Sequence, residues 1–162
     1  MIRKKICLVG APGVGKTSLV RRFVERRFEA DYHSTIGVRI DRRGLEIDGD
    51  DVSLIIWDIH GEDESLSVRS SYLAGMAGCF VVIDASRPET IDVAETLRER
   101  ALAVAEVPMV AVINKIDLVD DAEVAMSSAR LAPLADNVMA TSCLEDTGVD
   151  SAFEFLARAT IG

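Results

Sequence analysis

The octet Gly10-Ala-Pro-Gly-Val-Gly15-Lys16-Thr17 has the residue types and spacing to hold a chain of phosphates. It fits the pattern Gly, four residues, Gly-Lys, then Ser or Thr. A bound phosphate loses water and needs replacement donors. Glycines let the backbone curl until several N–H groups face one anion. A helix starting just after them adds unpaired N–H groups and partial positive charge. The backbone of Gly13, Val14, Gly15, Lys16, Thr17 and Ser18 is the candidate cradle. Lys16 adds a full charge at the β and γ phosphates, and the Thr17 hydroxyl is a candidate ligand for Mg2+. Pro12 has no N–H and donates nothing. Chance alone places such an octet in on the order of one chain in a few hundred.

Two further constellations carry chemistry. The apolar run Leu54-Ile-Ile-Trp57 leads into Asp58-Ile59-His60-Gly61. An Asp at the end of a hydrophobic strand beside a phosphate loop is the Walker B arrangement, whose carboxylate holds Mg2+, here through a water. Gly61 offers an N–H to the γ phosphate. Alone, the segment also reads as a plain strand-end turn. The second constellation is Asn114-Lys115-Ile116-Asp117. Guanine presents two adjacent donors, N1–H and the exocyclic amine, and one carboxylate accepts both. Adenine has an acceptor at N1. A site built on such a pair rejects the ligand lacking it by about 10⁴ or more. Asp117 is therefore the candidate specificity residue. Asn114 ties neighbouring loops together, and the aliphatic stem of Lys115 covers the base. Backbone N–H groups of Ser142, Cys143 and Leu144 are placed to meet the guanine O6.

These residues need a scaffold that brings them to one edge. Apolar β-rich runs at 2–9, 37–47, 52–57, 79–84, 109–114 and 138–142 alternate with helical stretches at 15–26, 64–74, 89–105, 122–132 and 149–159. Continuous runs such as Phe80-Val-Val-Ile83 suit parallel strands buried on both faces. The Asp48-Gly49-Asp50 turn is too short for a helical crossover, so strands two and three form an antiparallel hairpin. Arg39, Asp41 and Arg43 alternate along strand two, as on an exposed edge. The fold class expected is α/β: a three-layer P-loop NTPase fold with a six-stranded, mostly parallel sheet, one antiparallel edge strand, and helices on both faces. Ligands of such sheets sit at the carboxyl ends of the strands, where every motif above falls. The longest irregular piece is 27–36, and long ordered loops are often functional.

At 162 residues the chain is expected to be a single domain over 1–162. Its net charge of −9 argues against nucleic acid and anionic membranes as partners. The three cysteines, Cys7, Cys79 and Cys143, have no disulfide or zinc spacing. Two lie in apolar runs as small buried hydrophobes. With no leader-like segment, no membrane-length run and no terminal lipidation cysteine, the expectation is a cytoplasmic monomer without a direct membrane anchor.

Taken together, the motifs resemble the Ras-like small GTPases, in the style of the Rab branch, over the whole chain. The resemblance implies GTP and GDP as ligands with Mg2+, and a binary switch whose loops are held through the γ phosphate. It places switch I at Tyr32-His33-Ser34-Thr35-Ile36-Gly37 and switch II over 58–72, as surfaces for effectors and regulators. It implies that Thr35 binds Mg2+ beside Thr17 and Asp58, that Phe28 packs edge-on against guanine, and that Lys16, Thr35, Gly61 and Glu62 form the catalytic set.

Departures from the family pattern carry information. Ile59 and His60 stand where Thr-Ala is usual, and Glu62 replaces the Gln that orients the attacking water. A carboxylate only accepts and adds negative charge near the γ phosphate, although it can take a proton from water if its pKa is raised. Slow hydrolysis is the expectation, and a binding module without turnover is the alternative. A P-loop kinase is a third reading, disfavoured because no arginine-rich lid is present and Asn114–Asp117 has no role there. His60 faces the γ phosphate or Glu62, or else is exposed beside a loop. His33 and His60 lack the spacing of a metal site. Pro12 crowds an arginine supplied in trans, and Leu144 replaces a usual Lys. Arg69 and Tyr72 share one helix face, as a partner surface or a solvated one.

Replacing Asp117 by Asn exchanges an acceptor for a donor. Competition binding is expected to show preference moving from guanine toward xanthine nucleotides; an unchanged preference contradicts the role given to Asp117.

Overall fold

The computed structural model describes residues 1–26, 37–60 and 69–162. Six strands form one sheet: β1 (Ile2–Gly10), β2 (Val38–Ile47), β3 (Asp50–Ile59), β4 (Gly78–Asp84), β5 (Met109–Asn114) and β6 (Asn137–Ala140). The helices are α1 (Lys16–Glu25), α2 (Ser70–Leu73), α3 (Thr90–Val104), α4 (Asp121–Leu131) and α5 (Val149–Ile161). The sheet order is β2-β3-β1-β4-β5-β6. Only the β2–β3 pair is antiparallel among the described pairings.

Period-two alternation divides each central strand between two cores. Ile6 and Leu8 of β1, Phe80 and Val82 of β4, and Val110 and Val112 of β5 face α1 and α5, where Phe23 and Phe153 stack at 4.0 Å. Cys7 and Val9, Cys79 and Val81, and Met109 and Ala111 face the opposite side, with Leu73, Ile91, Leu97 and Leu131 from α2, α3 and α4. Strands with both faces covered read as continuous apolar runs because neither face meets water. All three cysteines are free and buried, and burial pushes the Cys7 and Cys143 thiols up to about 12.

The hairpin forms for the expected reason. Asp48 and Gly49 both have positive φ, 53° and 92°, the pair of conformations that a two-residue type I′ turn requires. β2 is an edge strand of the sheet, as its alternating charges suggested. Arg39, Asp41 and Arg43 lie on the half-buried side toward α1: Arg39 pairs with Asp41 at 2.8 Å and Glu25 at 3.1 Å. Arg43 lies over the Phe23 ring at 4.1 Å and donates to the Phe23 carbonyl at 2.6 Å. Ile40, 52% exposed, is on the outer side instead. Alternation fixes which residues share a face, and only packing decides which face is inward.

The expected helix over 64–74 lies partly outside the described residues; within them it spans only Ser70–Leu73, and Arg69 is extended. The last strand ends at Ala140 rather than at 142; Thr141 still donates its N–H to the Ile113 carbonyl at 2.8 Å, and the hydroxyls of Thr141 and Ser142 bond Asn114 and Asp117. Ser142 forms an isolated bridge with Thr147.

Candidate nucleotide site

β1 has β3 on one side and β4 on the other. The connection leaving its carboxyl end is the octet, at the divergence point where open sheets hold ligands. Gly15 is the N-cap residue of α1 with φ 99°, and α1 has neither a side-chain cap nor an acidic residue in its first turn. α4, by contrast, is capped by Asp120, whose carboxylate accepts from the Glu123 N–H at 2.8 Å. The first turn of α1 is thus suited to an external anion. A Cβ at Gly15 would fall on Asn114 Nδ2, so glycine is needed for close approach as well as for its backbone conformation.

Lys16 is only 4% exposed. Its Nζ donates to the carbonyls of Gly10 at 3.1 Å and Ala11 at 3.5 Å. No carboxylate forms an ion pair with it among the described residues. Burial pushes the ammonium below its ordinary value, against the opposing pull of Asp58. An ammonium held this way is suited to a phosphate. Ser18 continues the first turn of α1, half-buried.

Asp58 sits beside Leu8 in the β1–β3 register and is 0% exposed. Its Oδ2 accepts from the Thr17 hydroxyl at 2.6 Å. Its Oδ1 is buried and accepts no hydrogen bond among the described residues. A carboxylate oxygen left this way calls for a cation, and the Thr17 and Asp58 oxygens suit the hard, oxygen-preferring Mg2+. His60 Nε2 lies 3.0 Å from the same Oδ2 and 3.4 Å from Thr17 Oγ1. With its side chain 15% exposed, His60 is packed onto the Asp58 carboxylate, not set out in solvent.

The second motif closes onto the first. Asn114, buried, donates from Nδ2 to the Val14 carbonyl at 3.0 Å, and its Oδ1 accepts from the Thr141 hydroxyl at 2.9 Å and the Cys143 thiol at 3.6 Å. Lys115 Nζ donates to the Gly13 carbonyl at 2.7 Å. Asp117 Oδ1 accepts from the Ser142 hydroxyl at 2.7 Å. Asn114 thus joins the octet, the end of β5 and the segment after β6. Cys143 is buried and Leu144 is exposed, while the carbonyls of both accept from Arg22, at 2.9 and 3.4 Å. Phe28, Tyr32, His33, Thr35, Gly61 and Glu62 lie outside the described residues.

Three supporting residues escape motif reading. Asp84, at the end of β4, accepts from the Ser86 N–H at 2.9 Å and hydroxyl at 2.6 Å, from Arg87 Nε at 3.0 Å, and from Lys115 Nζ at 3.1 Å. Arg87 also donates to the Pro12 carbonyl at 3.0 Å. This network clamps the outer side of the octet, and Arg22 braces the loop after β6. Asp84 stands at a strand end, where the sequence could have flagged it; Arg22 leaves no such signal.

Burial pushes the Asp84 carboxyl up, yet the bonds from Ser86, Arg87 and Lys115 together hold it below its ordinary value. Its contribution is therefore full above the unfolded pKa and is lost as pH falls through the lower folded value. Asp84→Asn is expected to cost about 1–3 kcal/mol in urea unfolding at neutral pH. The gap should narrow below pH ~3.9 as the parent is itself protonated; a gap constant through that acid range contradicts the assignment.

Comparison with known proteins agrees with this arrangement. The model of the Ras family matches residues 5–161. The Ras-related protein RABA5b of Arabidopsis thaliana is 34% identical over 158 residues, covering 95% of this chain and 73% of that protein. The GTP-binding protein YPT1 of Saccharomyces cerevisiae is 36% identical over 158 residues, covering 95% of this chain and 77% of that protein. The Ras-related protein Rab-7b of Bos taurus is 34% identical over 165 residues, covering 97% and 82%. A family match over nearly the full length, together with relatives of this kind, means that the chain belongs to the Ras family and is a Rab-like small GTPase.

Proposed function

We propose that residues 1–162 form one G domain that binds GTP and GDP with Mg2+, hydrolyses GTP slowly, and acts as a molecular switch in the cytoplasm. The observation that carries this reading is the presence of two buried charges, Lys16 and Asp58, not paired with each other, at one sheet edge beside an uncapped helix start that Asn114 ties to the loop bearing Asp117. In this reading the octet backbone, from Gly13 to Ser18, cradles the phosphates and Lys16 spans the β and γ groups. Thr17, Asp58 and, by family analogy, Thr35 hold Mg2+, which neutralises phosphate charge when bound. Asp117 reads the base, and backbone amides at Ser142, Cys143 and Leu144 face its O6. Phe28 packs against the base edge, Gly61 donates to the γ phosphate, and Glu62 orients water.

YPT1 is named a GTP-binding protein, which supports guanosine triphosphate as the ligand here. Effectors and regulators are proposed to read 32–37 and 58–72, with the monomer as the working unit. The described helices include none long and apolar enough to cross a membrane. Pro12 is exposed, with its carbonyl fixed by Arg87, and its ring sits where an arginine supplied in trans would approach.

Glu62 favours one second reading, binding without turnover. Mass identification of nucleotide carried through purification, followed by single-turnover hydrolysis in the parent and Glu62→Gln, separates the readings. Co-purified GDP, phosphate release above the solution rate, and a faster Glu62→Gln variant are expected. Bound guanine nucleotide with parent hydrolysis at the solution rate leaves binding and removes the enzyme. An adenine nucleotide overturns the proposal.

A further inference from the structure

Three successive carbonyls of the octet are held from outside it. The Pro12 carbonyl accepts from Arg87 Nη2 at 3.0 Å, the Gly13 carbonyl from Lys115 Nζ at 2.7 Å, and the Val14 carbonyl from Asn114 Nδ2 at 3.0 Å. The peptide bonds here are trans, so the N–H of each peptide unit points away from its carbonyl. A carbonyl fixed outward therefore turns the next residue's N–H inward, at Gly13, Val14 and Gly15 in turn. Val14 shows the effect: its N–H is turned into the loop, toward the Ala11 carbonyl 3.4 Å away. Gly13 and Gly15 have φ of 76° and 99°, the left-handed conformations that let successive amides line one hollow.

Two of the three outside donors belong to the Asn114–Asp117 motif. Arg87 belongs to no motif, yet it is as firmly placed. Its N–H donates to the Asp84 carbonyl at 2.9 Å, and its own carbonyl accepts from the Thr90 hydroxyl at 2.7 Å. Its Nε donates to Asp84 Oδ2 at 3.0 Å, and the same oxygen lies 3.1 Å from Lys115 Nζ. One buried carboxylate thus aims two side chains at adjacent peptide units of the octet. Pro12 has no N–H, so the row of amides starts at Gly13, whose peptide unit is the one that Arg87 holds.

We propose that Arg87 is a positioning residue for the diphosphate: it holds the Pro12 carbonyl outward, sets the Gly13 N–H toward the ligand, and raises phosphate affinity without touching phosphate. The inference deepens the functional reading above and rests on it, since it takes the octet to hold phosphate. The competing role for Arg87 is a brace for the fold. Its side chain is 39% exposed, and exposed ion pairs contribute little to stability, so its loss tells on phosphate binding rather than on folding.

The test is the preference of the full chain for GDP over GMP, both with Mg2+, measured by competition binding. GMP keeps the base and the α phosphate and lacks the β phosphate. In Arg87→Met, which keeps an apolar stem and loses the donors, and in Arg87→Ala, the preference is expected to fall about tenfold, the size of one hydrogen bond to a charged group. GMP affinity should stay at the parent's value, which also shows that the variants are folded. An unchanged preference in both variants overturns this inference alone, whether GDP and GMP weaken together, as for a brace, or neither weakens. A parent that binds no GDP, or binds GMP as tightly as GDP, overturns the inference together with the functional reading beneath it.

Discussion

Two buried ions of opposite sign, Lys16 and Asp58, organise the carboxyl edge of the sheet. Taking a charge out of water costs several kcal/mol even after the surroundings relax. Lys16 recovers part of this from two carbonyls, and Asp58 from the Thr17 hydroxyl and His60. Neither is fully satisfied by described residues, and one oxygen of Asp58 accepts nothing from them. Asp84 shows the contrast two strands away. Buried at the end of β4, it is surrounded by donors from Ser86, Arg87 and Lys115. Asp84 is a structural charge whose partners come from the chain, whereas in the proposed function Lys16 and Asp58 take partners from outside.

The fold supplies the precision that such a site needs. β1 and β3 run parallel in register, so the start of α1 and Asp58 reach the same edge without a long loop between them. β4 and β5 bring Asp84 and Asn114 alongside as register partners. Asn114 then bonds the octet at Val14 and the post-β6 segment at Thr141, fixing three strand ends with one buried amide. Each partner is an otherwise buried polar group, so loss of the amide would orphan several groups at once. Because the octet and the segment after β6 share this joint, geometry at one is coupled to geometry at the other.

Much of this is legible in the sequence because it is local. The octet, the strand-end Asp58, the Asn114–Asp117 motif and the Asp48-Gly49 turn each combine residue type with immediate context. The cores are legible as well, since period-two alternation and unbroken apolar runs mark the covered strands. What escaped depends on tertiary approach. The inward face of edge strand β2 is set by Phe23 and Glu25 of α1, against which Arg43 and Arg39 pack. Ser142 turns out of the sheet into a bridge with Thr147, and its hydroxyl reaches Asp117, 25 residues earlier. His60 reads as a loop residue until β3 is seen to extend through Ile59 and bring the ring to Asp58.

The central claim is that the charge of Lys16 is offset by bound phosphate and that the pocket is selective for guanine. The most direct measurement is the thermal unfolding midpoint of nucleotide-free parent and Lys16→Met, each alone, with GDP and Mg2+, and with ADP and Mg2+. At 100 times its dissociation constant a ligand adds about 2.7 kcal/mol, so the parent should gain several degrees with GDP. The variant should gain little at the same concentration, and ADP should do little for either. A Lys16→Met protein raised by GDP as far as the parent, or a parent raised equally by ADP, contradicts the account.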